Sequence, residues 1–437
     1  MPISKRPRSS RHLRQAGLAA ACLGLAVAAA FTGAGAVSAP AARADTPAAV
    51  EFPAFVPSGP GYQAGLDAEV SFWNDTRLAE AGLDANPADA ANSTDGDGID
   101  AVAPPDGWDN LSSPWTGGGE IAMASGKLFM EQFAPDNSGG GTTYYSTCSA
   151  TVADSANQSV ILTAGHCITE NWAIETGPGW QDYSENAVFI PAFNGASLPR
   201  PPAGTEIGVN DTSGPMPDAS IAPYGVWGVT REWITSSWES QANDLGGDDM
   251  AAMIVANPDN PEPIQQVTGG EPVSFTAPQA GADDLFGYPT DYGLDYYLPP
   301  LVNGVPTLAP GTAGTYGAPY GLQRVFDGRT LMESQGQAAA GWEDYDFLPA
   351  AISAGSSGGG WFQDFDPATG IGTLVGVTSH ASDDTGGVTG IASAAVWDIL
   401  TGGNPANALT QPWITATHLG AEEQAAYDAA QSATFQS

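Results

Sequence analysis

The segment Cys148–Val152, with the sequence Cys-Ser-Ala-Thr-Val, is followed closely by Val160–Cys167, with the sequence Val-Ile-Leu-Thr-Ala-Gly-His-Cys. A third segment, Gly355–Gly359, reads Gly-Ser-Ser-Gly-Gly. The first two segments are rich in apolar and β-branched residues, which predicts strands, and the second of them carries His166 next to its last residue. Glycine-flanked serines are common in a chain with 55 glycines, so the third segment is informative mainly because it follows this histidine.

The histidine in Thr-Ala-Gly-His-Cys and the serine in Gly-x-Ser-Gly-Gly, in this order, resemble the motifs of trypsin/chymotrypsin-like serine proteases. The resemblance covers roughly Gly119 to Leu400. It implies an all-β fold of two packed six-stranded antiparallel β-barrels, and a serine endopeptidase that hydrolyses peptide bonds through an acyl-enzyme. The segment Phe286–Pro289 is also similar to a Gly-Tyr-Pro element of the bacterial secreted, glutamyl-endopeptidase-like branch.

Acyl transfer by serine needs a base, a group that orients the base, and backbone donors that bind the oxyanion. The resemblance makes His166 the base and Ser357 the nucleophile, with the N–H groups of Gly355 and Ser357 as the oxyanion hole. Ser356 is an alternative nucleophile, against which the Gly-x-Ser-Gly-Gly register argues. Ser356 also stands where trypsin carries an aspartate that pairs with a freed N-terminus, so any activation is expected to differ.

Asp249 fits best as the residue that orients the histidine. It precedes the apolar run Met250–Val255, and this arrangement is similar to the family's aspartate followed by a buried strand. Asp248 is the rival and Asp244 a more distant one. The separation from His166 is longer than is usual in the family, which predicts an insertion before the aspartate.

The substrate pocket is predicted from the same resemblance. Ala351 stands where a trypsin-like enzyme has an aspartate, so a Lys or Arg side chain of the substrate would lack its partner. The segment Leu374–His380 is similar to the strand that lines the pocket, with Ser379 as a candidate for binding the substrate backbone. His380, when protonated, would favour Glu or Asp in the substrate. The alternative is a histidine at the pocket rim without selectivity.

The cysteines indicate an oxidising compartment. The chain has three cysteines, and Cys22 lies in an N-terminal segment that we expect to be removed. The remaining pair, Cys148 and Cys167, fits one disulfide that would close a short loop and fix the strand carrying His166. Two buried free thiols are the alternative.

The N-terminus predicts export. A basic stretch, Lys5–Arg14, precedes the small and apolar run Ala16–Val37, and Ala42–Ala44 offers a small-x-small cleavage site. We therefore expect a signal peptide over residues 1–44 and a secreted, extracellular protein. A transmembrane helix and a lipid anchor at Cys22 are the alternatives.

The charge of the chain restricts its partners. The formal net charge is −37, and cleavage after Ala44 would leave six Lys and Arg residues against 49 Asp and Glu. This excess of negative charge excludes nucleic acid, whose phosphates require clustered cations. It also argues against stable association with anionic membranes once the signal is removed. The expected partners are peptide or protein substrates, and the oligomeric state is left open.

Composition divides the rest of the chain. Residues 45–118 are expected to be a propeptide or N-terminal arm, 119–400 the protease domain and 401–437 a C-terminal tail that includes a short helix. The turn-rich stretches Pro191–Gly247 and Thr290–Gly321 are predicted to be surface insertions. Short β-rich segments bounded by turn residues predict strands: Gly126–Met130, Ser146–Val152, Ser159–Thr163, Ala251–Ala256 and Gly372–Ser379.

No metal or cofactor is expected for this mechanism. Asp95–Asp100 resembles a fragment of a calcium loop, but it lacks the remaining ligands and a solvated turn is the simpler interpretation. The main rival function is a non-catalytic binding protein on the same fold, since a fold does not guarantee an activity. An acidic structural or calcium-binding surface protein is a second rival. An α/β-hydrolase esterase would need its serine before its histidine.

Overall fold

The computed structural model describes the greater part of the chain beyond residue 46. The described residues are 47–52, 56, 59–81, 112–135, 141–170, 182–198, 214–241, 248–289, 292–295, 301–302, 305–306, 323–325, 328–340, 345–350, 352, 355–381 and 413–434. Among them, no helix has both the length and the hydropathy that crossing a bilayer requires. The predicted signal peptide and the calcium-loop fragment Asp95–Asp100 lie outside these residues.

The described elements are mostly short strands. The strands are β1 Ala49–Glu51, β2 Ser113–Pro114, β3 Ser125–Pro135, β4 Gly141–Val152, β5 Val160–Thr163, β6 Thr169–Glu170, β7 Asp182–Pro191, β8 Trp227–Thr235, β9 Ala251–Ala256, β10 Ala282–Gly287, β11 Tyr292–Asp295, β12 Leu301–Val302, β13 Val305–Pro306, β14 Gln323–Val325, β15 Met332–Gln337, β16 Ala339–Ala340, β17 Tyr345–Pro349, β18 Gly360–Asp366, β19 Ile371–Ala381 and β20 Trp413–His418. The α-helices are α1 Tyr62–Phe72, α2 Asp75–Ala81, α3 Gly119–Ala124, α4 Ser236–Gln241, α5 Ile264–Thr268 and α6 Ala421–Ser432.

The first sheet closes into a barrel. Its strands follow the order β8-β9-β5-β4-β3-β7, and a further pairing between β7 and β8 joins the two ends of this six-stranded series. The pairs are antiparallel, for example Val160 opposite Ile254 and Thr163 opposite Ala251. The short strands β1 and β6 add to β8 and β7. Closure removes the free edges that an open sheet would expose.

The second sheet has eight strands in the order β16-β17-β20-β19-β18-β10-β15-β2. Three apolar clusters account for the packing. One lies inside the first barrel, one belongs to the second sheet, and the third joins residues of both sheets, such as Leu162 and Phe362. Together with the short helix α6, these features confirm the predicted all-β fold class.

Strand β9 is buried on both of its faces. Ala251, Met253 and Val255 face the interior of the first barrel, whereas Ala252 and Ile254 face the cluster shared by the two sheets. All six residues of β9 are buried. A strand covered on both faces reads as a continuous apolar run bounded by turns, and its predicted limits are confirmed. The predicted strands within β3, β4, β5 and β19 are confirmed as well.

Two predicted boundaries need correction. The stretch Pro191–Gly247, predicted to be a surface insertion, contains β8, which completes the first barrel. The tail that was placed after residue 400 contains β20, which lies between β17 and β19 in the second sheet. Both strands are surrounded by turn-rich sequence, so the composition of these stretches did not predict them. The predicted C-terminal helix is present as α6 and begins after Gly420.

The N-terminal arm is packed into the molecule. Helix α1 lies against β7 and β8, and Gly228 of β8 provides the room, because a Cβ there would lie 2.7 Å from Leu66 Cδ1. Trp73, between α1 and α2, is 0% exposed. Its ring contacts those of Phe129 and Tyr145, and its Nε1 donates a hydrogen bond of 2.6 Å to Asn186 O. The arm therefore contributes to the core that holds the barrel.

We predict that a carboxyl on this arm makes stability fall as pH rises. Glu69 of α1 is 5% exposed, and burial raises its pKa from 4.5 to about 8, with a smaller contribution from the charge of Glu131. Because the folded-state pKa is raised, the stabilisation is complete below about pH 4.5 and is lost as pH rises through about 8. Within this window the loss is about 1.4 kcal/mol per pH unit.

Thermal unfolding of Glu69→Gln at pH 5 and pH 8 tests this expectation. Glutamine still accepts a hydrogen bond from the backbone of Ala187 but cannot ionise. The variant should therefore gain stability relative to the wild type as pH rises. A difference in melting temperature that is the same at both pH values would contradict the prediction.

Candidate active site

Asp249 is held at the start of β9 by three hydrogen bonds. The residue is 0% exposed. Its Oδ1 accepts from the backbone N–H of His166 at 2.8 Å, and its Oδ2 accepts from His166 Nδ1 at 2.8 Å and from Ser379 Oγ at 2.5 Å. Three donors therefore converge on this one buried carboxylate.

His166 lies in a 3₁₀ turn, Gly165–Cys167, that directly follows β5. Its side chain is 18% exposed, so the ring lies at the surface while its Nδ1 faces the buried Asp249. Gly165 permits this approach, because a Cβ there would lie 2.8 Å from Trp238 Cδ1 and 3.1 Å from Asp249 Oδ1. Since Nδ1 is bonded to the carboxylate, proton exchange with another group falls to Nε2.

The predicted disulfide fixes the same turn. Cys148 of β4 and Cys167 are joined, with Cα atoms 6.3 Å apart. The two sulfurs and the His166 ring lie within 4.8 Å of one another, which resembles a metal-ligand cluster. Disulfide sulfurs are not thiolates and do not supply that ligand chemistry, so this cluster is not a metal site.

Ser357 lies on a turn that glycines make possible. Gly355 and Gly358 have φ values of +84° and +78°, a region that side-chain-bearing residues rarely adopt. Ser149 of β4 anchors the turn, because its N–H donates to Ser357 O at 2.7 Å and its Oγ donates to Gly355 O at 2.9 Å. Ser357 is partly exposed, whereas Ser356 is 1% exposed.

The turn is packed against the strand that leads to the histidine. A Cβ at Gly358 would overlap Thr163 Oγ1 and lie 2.7 Å from Ala164 N. A Cβ at Gly359 would overlap the carbonyl oxygen of Phe286 in β10. The two glycines after the serine are therefore required because the turn lies close to residues of both sheets. At Gly358 the neighbours are Thr163 and Ala164, which directly precede the turn that carries His166.

The backbone N–H groups of the serine turn differ in their hydrogen bonding. Gly358 N donates to Thr378 O at 2.7 Å, and Gly359 N donates to Ser356 O at 2.8 Å. Within the described part of the chain, no acceptor takes the N–H of Gly355 or Ser357. Backbone N–H groups without a protein acceptor are the kind of donor that an oxyanion hole requires.

No protein-family model matches the chain, and a search of curated proteins finds no match. Similar solved structures include the protease Anisep from Arthrobacter nicotinovorans, at 21% identity over 71% of this chain and 96% of that one, with a TM-score of 0.42. A second is the thermostable serine protease AL20 from an extremophilic microorganism, at 19% identity over 72% of this chain and 100% of that one, with a TM-score of 0.42. A third is a Glu endopeptidase in complex with MPD, at 14% identity over 76% of this chain and 100% of that one, with a TM-score of 0.39. These scores are below 0.5, so no functional conclusion rests on them.

The structure gives contacts for both rival aspartates. Asp249 bonds to His166, and the side chain of Asp248 lies against that of Glu423 of α6. Ser379, predicted to bind the substrate backbone, uses its hydroxyl to support Asp249. Ala351, the side chain of His380 and Asp244 fall outside what the structure describes.

Several supporting residues were missed by the sequence analysis. Ser149 also accepts a hydrogen bond from Tyr288 N at 2.8 Å, which ties the serine turn to the end of β10. Thr235 Oγ1 donates to Asp248 O at 2.7 Å, and Trp238 Nε1 donates to Thr169 O at 3.0 Å. Ser149 follows Cys148 in the quoted motif and could have been singled out, whereas Thr235 and Trp238 carry no local signal.

Proposed function

We propose that this protein is a secreted serine endopeptidase on a trypsin-like fold, with Ser357, His166 and Asp249 as its triad. The observation that carries the proposal is the doubly bonded pair of His166 and Asp249, next to the glycine turn that presents Ser357. A carboxylate that holds an imidazole through both its backbone and its ring fixes the orientation of the base.

The proposed mechanism uses three side chains, two backbone N–H groups and one water molecule. Ser357 Oγ attacks the scissile carbonyl carbon while His166 Nε2 takes the hydroxyl proton, and Asp249 stabilises the imidazolium. The N–H groups of Gly355 and Ser357 bind the oxyanion, and His166 then gives the proton to the leaving amine. A water molecule, deprotonated by the same histidine, hydrolyses the acyl-enzyme and restores Ser357.

The proposed substrates are peptides or proteins, bound in a pocket that involves Ala351, Ser379 and His380. Because the Ser379 hydroxyl donates its only proton to Asp249, we expect this residue to donate to a substrate through its backbone N–H. Export through a signal peptide over residues 1–44 is part of the proposal. The disulfide between Cys148 and Cys167 supports it, since such bonds persist in oxidising compartments.

Labelling with a fluorophosphonate probe tests the function. The secreted protein should gain the mass of one adduct, and Ser357→Ala should gain none. Ser356→Ala is the matched control, since it removes the neighbouring buried hydroxyl and should be labelled like the wild type. If folded wild-type protein stays unlabelled, the proposal fails and the alternative of a non-catalytic binding protein takes its place.

A further inference from the structure

A buried glutamate faces inward from the first turn of the C-terminal helix. The face of α6 that packs against the first barrel consists of Glu423, Ala426, Tyr427 and Ala430. Glu423 is 1% exposed. Glutamate is almost never fully buried without a partner, because desolvation penalises its charge. Its position on an otherwise apolar face therefore needs an explanation.

The N-terminus of the helix supplies a hydrogen-bond donor to only one of the two carboxyl oxygens of Glu423. Glu423 Oε2 accepts a hydrogen bond of 2.9 Å from Gly420 N, as expected for a glutamate in the first turn. Its Oε1 is buried and accepts no hydrogen bond from the described residues. The side chain with which Glu423 shares a further hydrogen bond is that of Asp248. Two carboxyl groups can share such a bond only when one of them carries the proton.

The placement of that proton on Glu423 is part of the proposal made below. Burial raises the pKa of Glu423 well above its ordinary value of 4.5, and the negative charge of Asp248 raises it further. The other ionisable groups on the strands that pack against α6 are Glu51 of β1 with Arg231 of β8, which pair at 2.6 Å, and Glu232 of β8. Strands β5 and β9 carry no ionisable residue.

Asp248 directly precedes the acid of the proposed triad and has a strained backbone. Its φ is +67°, which is unfavourable for a residue with a side chain. Such conformations persist only where the surroundings hold them. Here Thr235 Oγ1 holds the carbonyl at 2.7 Å, and Glu423 holds the side chain. A change in the conformation of Asp248 would move Asp249, whose carboxylate orients His166.

We propose that protonated Glu423 is a positioning residue, which donates a hydrogen bond to Asp248 and so fixes the direction of Asp249 towards His166. The inference rests on the proposed function. Loss of the Glu423 proton would place two negative carboxylates against each other in a buried site, and their repulsion would displace the start of α6 and the Asp248 backbone. The C-terminal helix thus gives the active site an upper pH limit.

The test compares Glu423→Gln and Glu423→Ala across pH. The amide of glutamine still donates to Asp248 and cannot ionise. The rate of fluorophosphonate labelling should fall at alkaline pH in the wild type, and this fall should be absent in Glu423→Gln. Glu423→Ala should lower kcat about 10- to 100-fold at every pH with little change in KM, as expected for a displaced catalytic group. Asp428→Asn is the control, an exposed carboxylate on the same helix, and it should keep the wild-type profile.

Two outcomes would overturn the inference: an unchanged alkaline limb in Glu423→Gln, or wild-type kcat in a folded Glu423→Ala. A second measurement separates this failure from failure of the proposed function. If the wild type is not labelled at any pH, the NMR signal of the proton between His166 and Asp249 replaces activity as the readout. That signal should be lost at alkaline pH in the wild type and retained in Glu423→Gln, and equal behaviour of the two proteins would refute the inference.

Discussion

Asp249→Asn is expected to lower kcat/KM by about four orders of magnitude while leaving the protein folded. Asp249 Oδ1 accepts from His166 N, so an asparagine would keep its carbonyl oxygen there and turn its NH2 group towards His166 Nδ1. Nδ1 would then have to act as the acceptor, and the proton would move to Nε2. A histidine in that tautomer cannot take the proton of Ser357.

Steady-state hydrolysis of a peptide substrate, together with thermal unfolding, checks this expectation. Asp259→Asn is a matched control, because Asp259 is exposed and lies in the turn beyond the other end of β9. It removes the same charge and should keep kcat/KM within about twofold of the wild type, as expected for a surface change away from the site. An Asp249→Asn variant with less than a tenfold loss would remove Asp249 from the proposed triad.

Trp73→Ala is expected to cost about 3–5 kcal/mol of unfolding free energy, as for other large side chains removed from a packed core. The indole is fully buried, contacts the rings of Phe129 and Tyr145, and donates to Asn186 O. Its loss would leave a cavity between the arm and the barrel and an acceptor without its donor. The described part of the arm is therefore expected to contribute to the stability of the fold.

Urea denaturation measures this cost, and limited proteolysis gives an independent test. Gln63→Ala, an exposed position on α1, is the control and should change the unfolding free energy by no more than about 0.5 kcal/mol. If the arm could be cleaved away without loss of stability, it would be a propeptide, which was the other interpretation of residues 45–118. A cost below about 1 kcal/mol for Trp73→Ala would point the same way.

The elements that could be predicted from the sequence have one physical property in common: each is determined by residues close to it in the chain. His166 and Ser357 are surrounded by residues whose types are dictated locally, such as Gly165, Gly358 and Gly359, where a Cβ would overlap a neighbour. Strand β9 is buried on both faces, so its apolar run has clear limits. At these positions the residue type is fixed by the local backbone conformation or by burial. A short stretch of sequence is therefore enough to predict the structure there.

The parts that were missed depend on contacts between distant residues. Ser379 donates a hydrogen bond to Asp249 across 130 positions of sequence, and Glu423 contacts Asp248 from a helix that follows the second sheet. No residue near Glu423 distinguishes it from the other acidic residues of this chain. Strand β8 contains Arg231 and Glu232, whose charges obscure the apolar pattern, yet its pairing with β7 and β9 closes the barrel.

The return of the last helix to the first barrel bears on how the protein is made. A partly synthesised chain that ends before residue 355 would contain the histidine and the aspartate but neither the serine nor the supports from Ser379 and Glu423. The proposed catalytic site would therefore be complete only after the residues up to α6 had been translated and this helix had packed against the first barrel. On the proposed function, a chain that had not yet reached this point would lack the nucleophile and would not hydrolyse proteins of the producing cell.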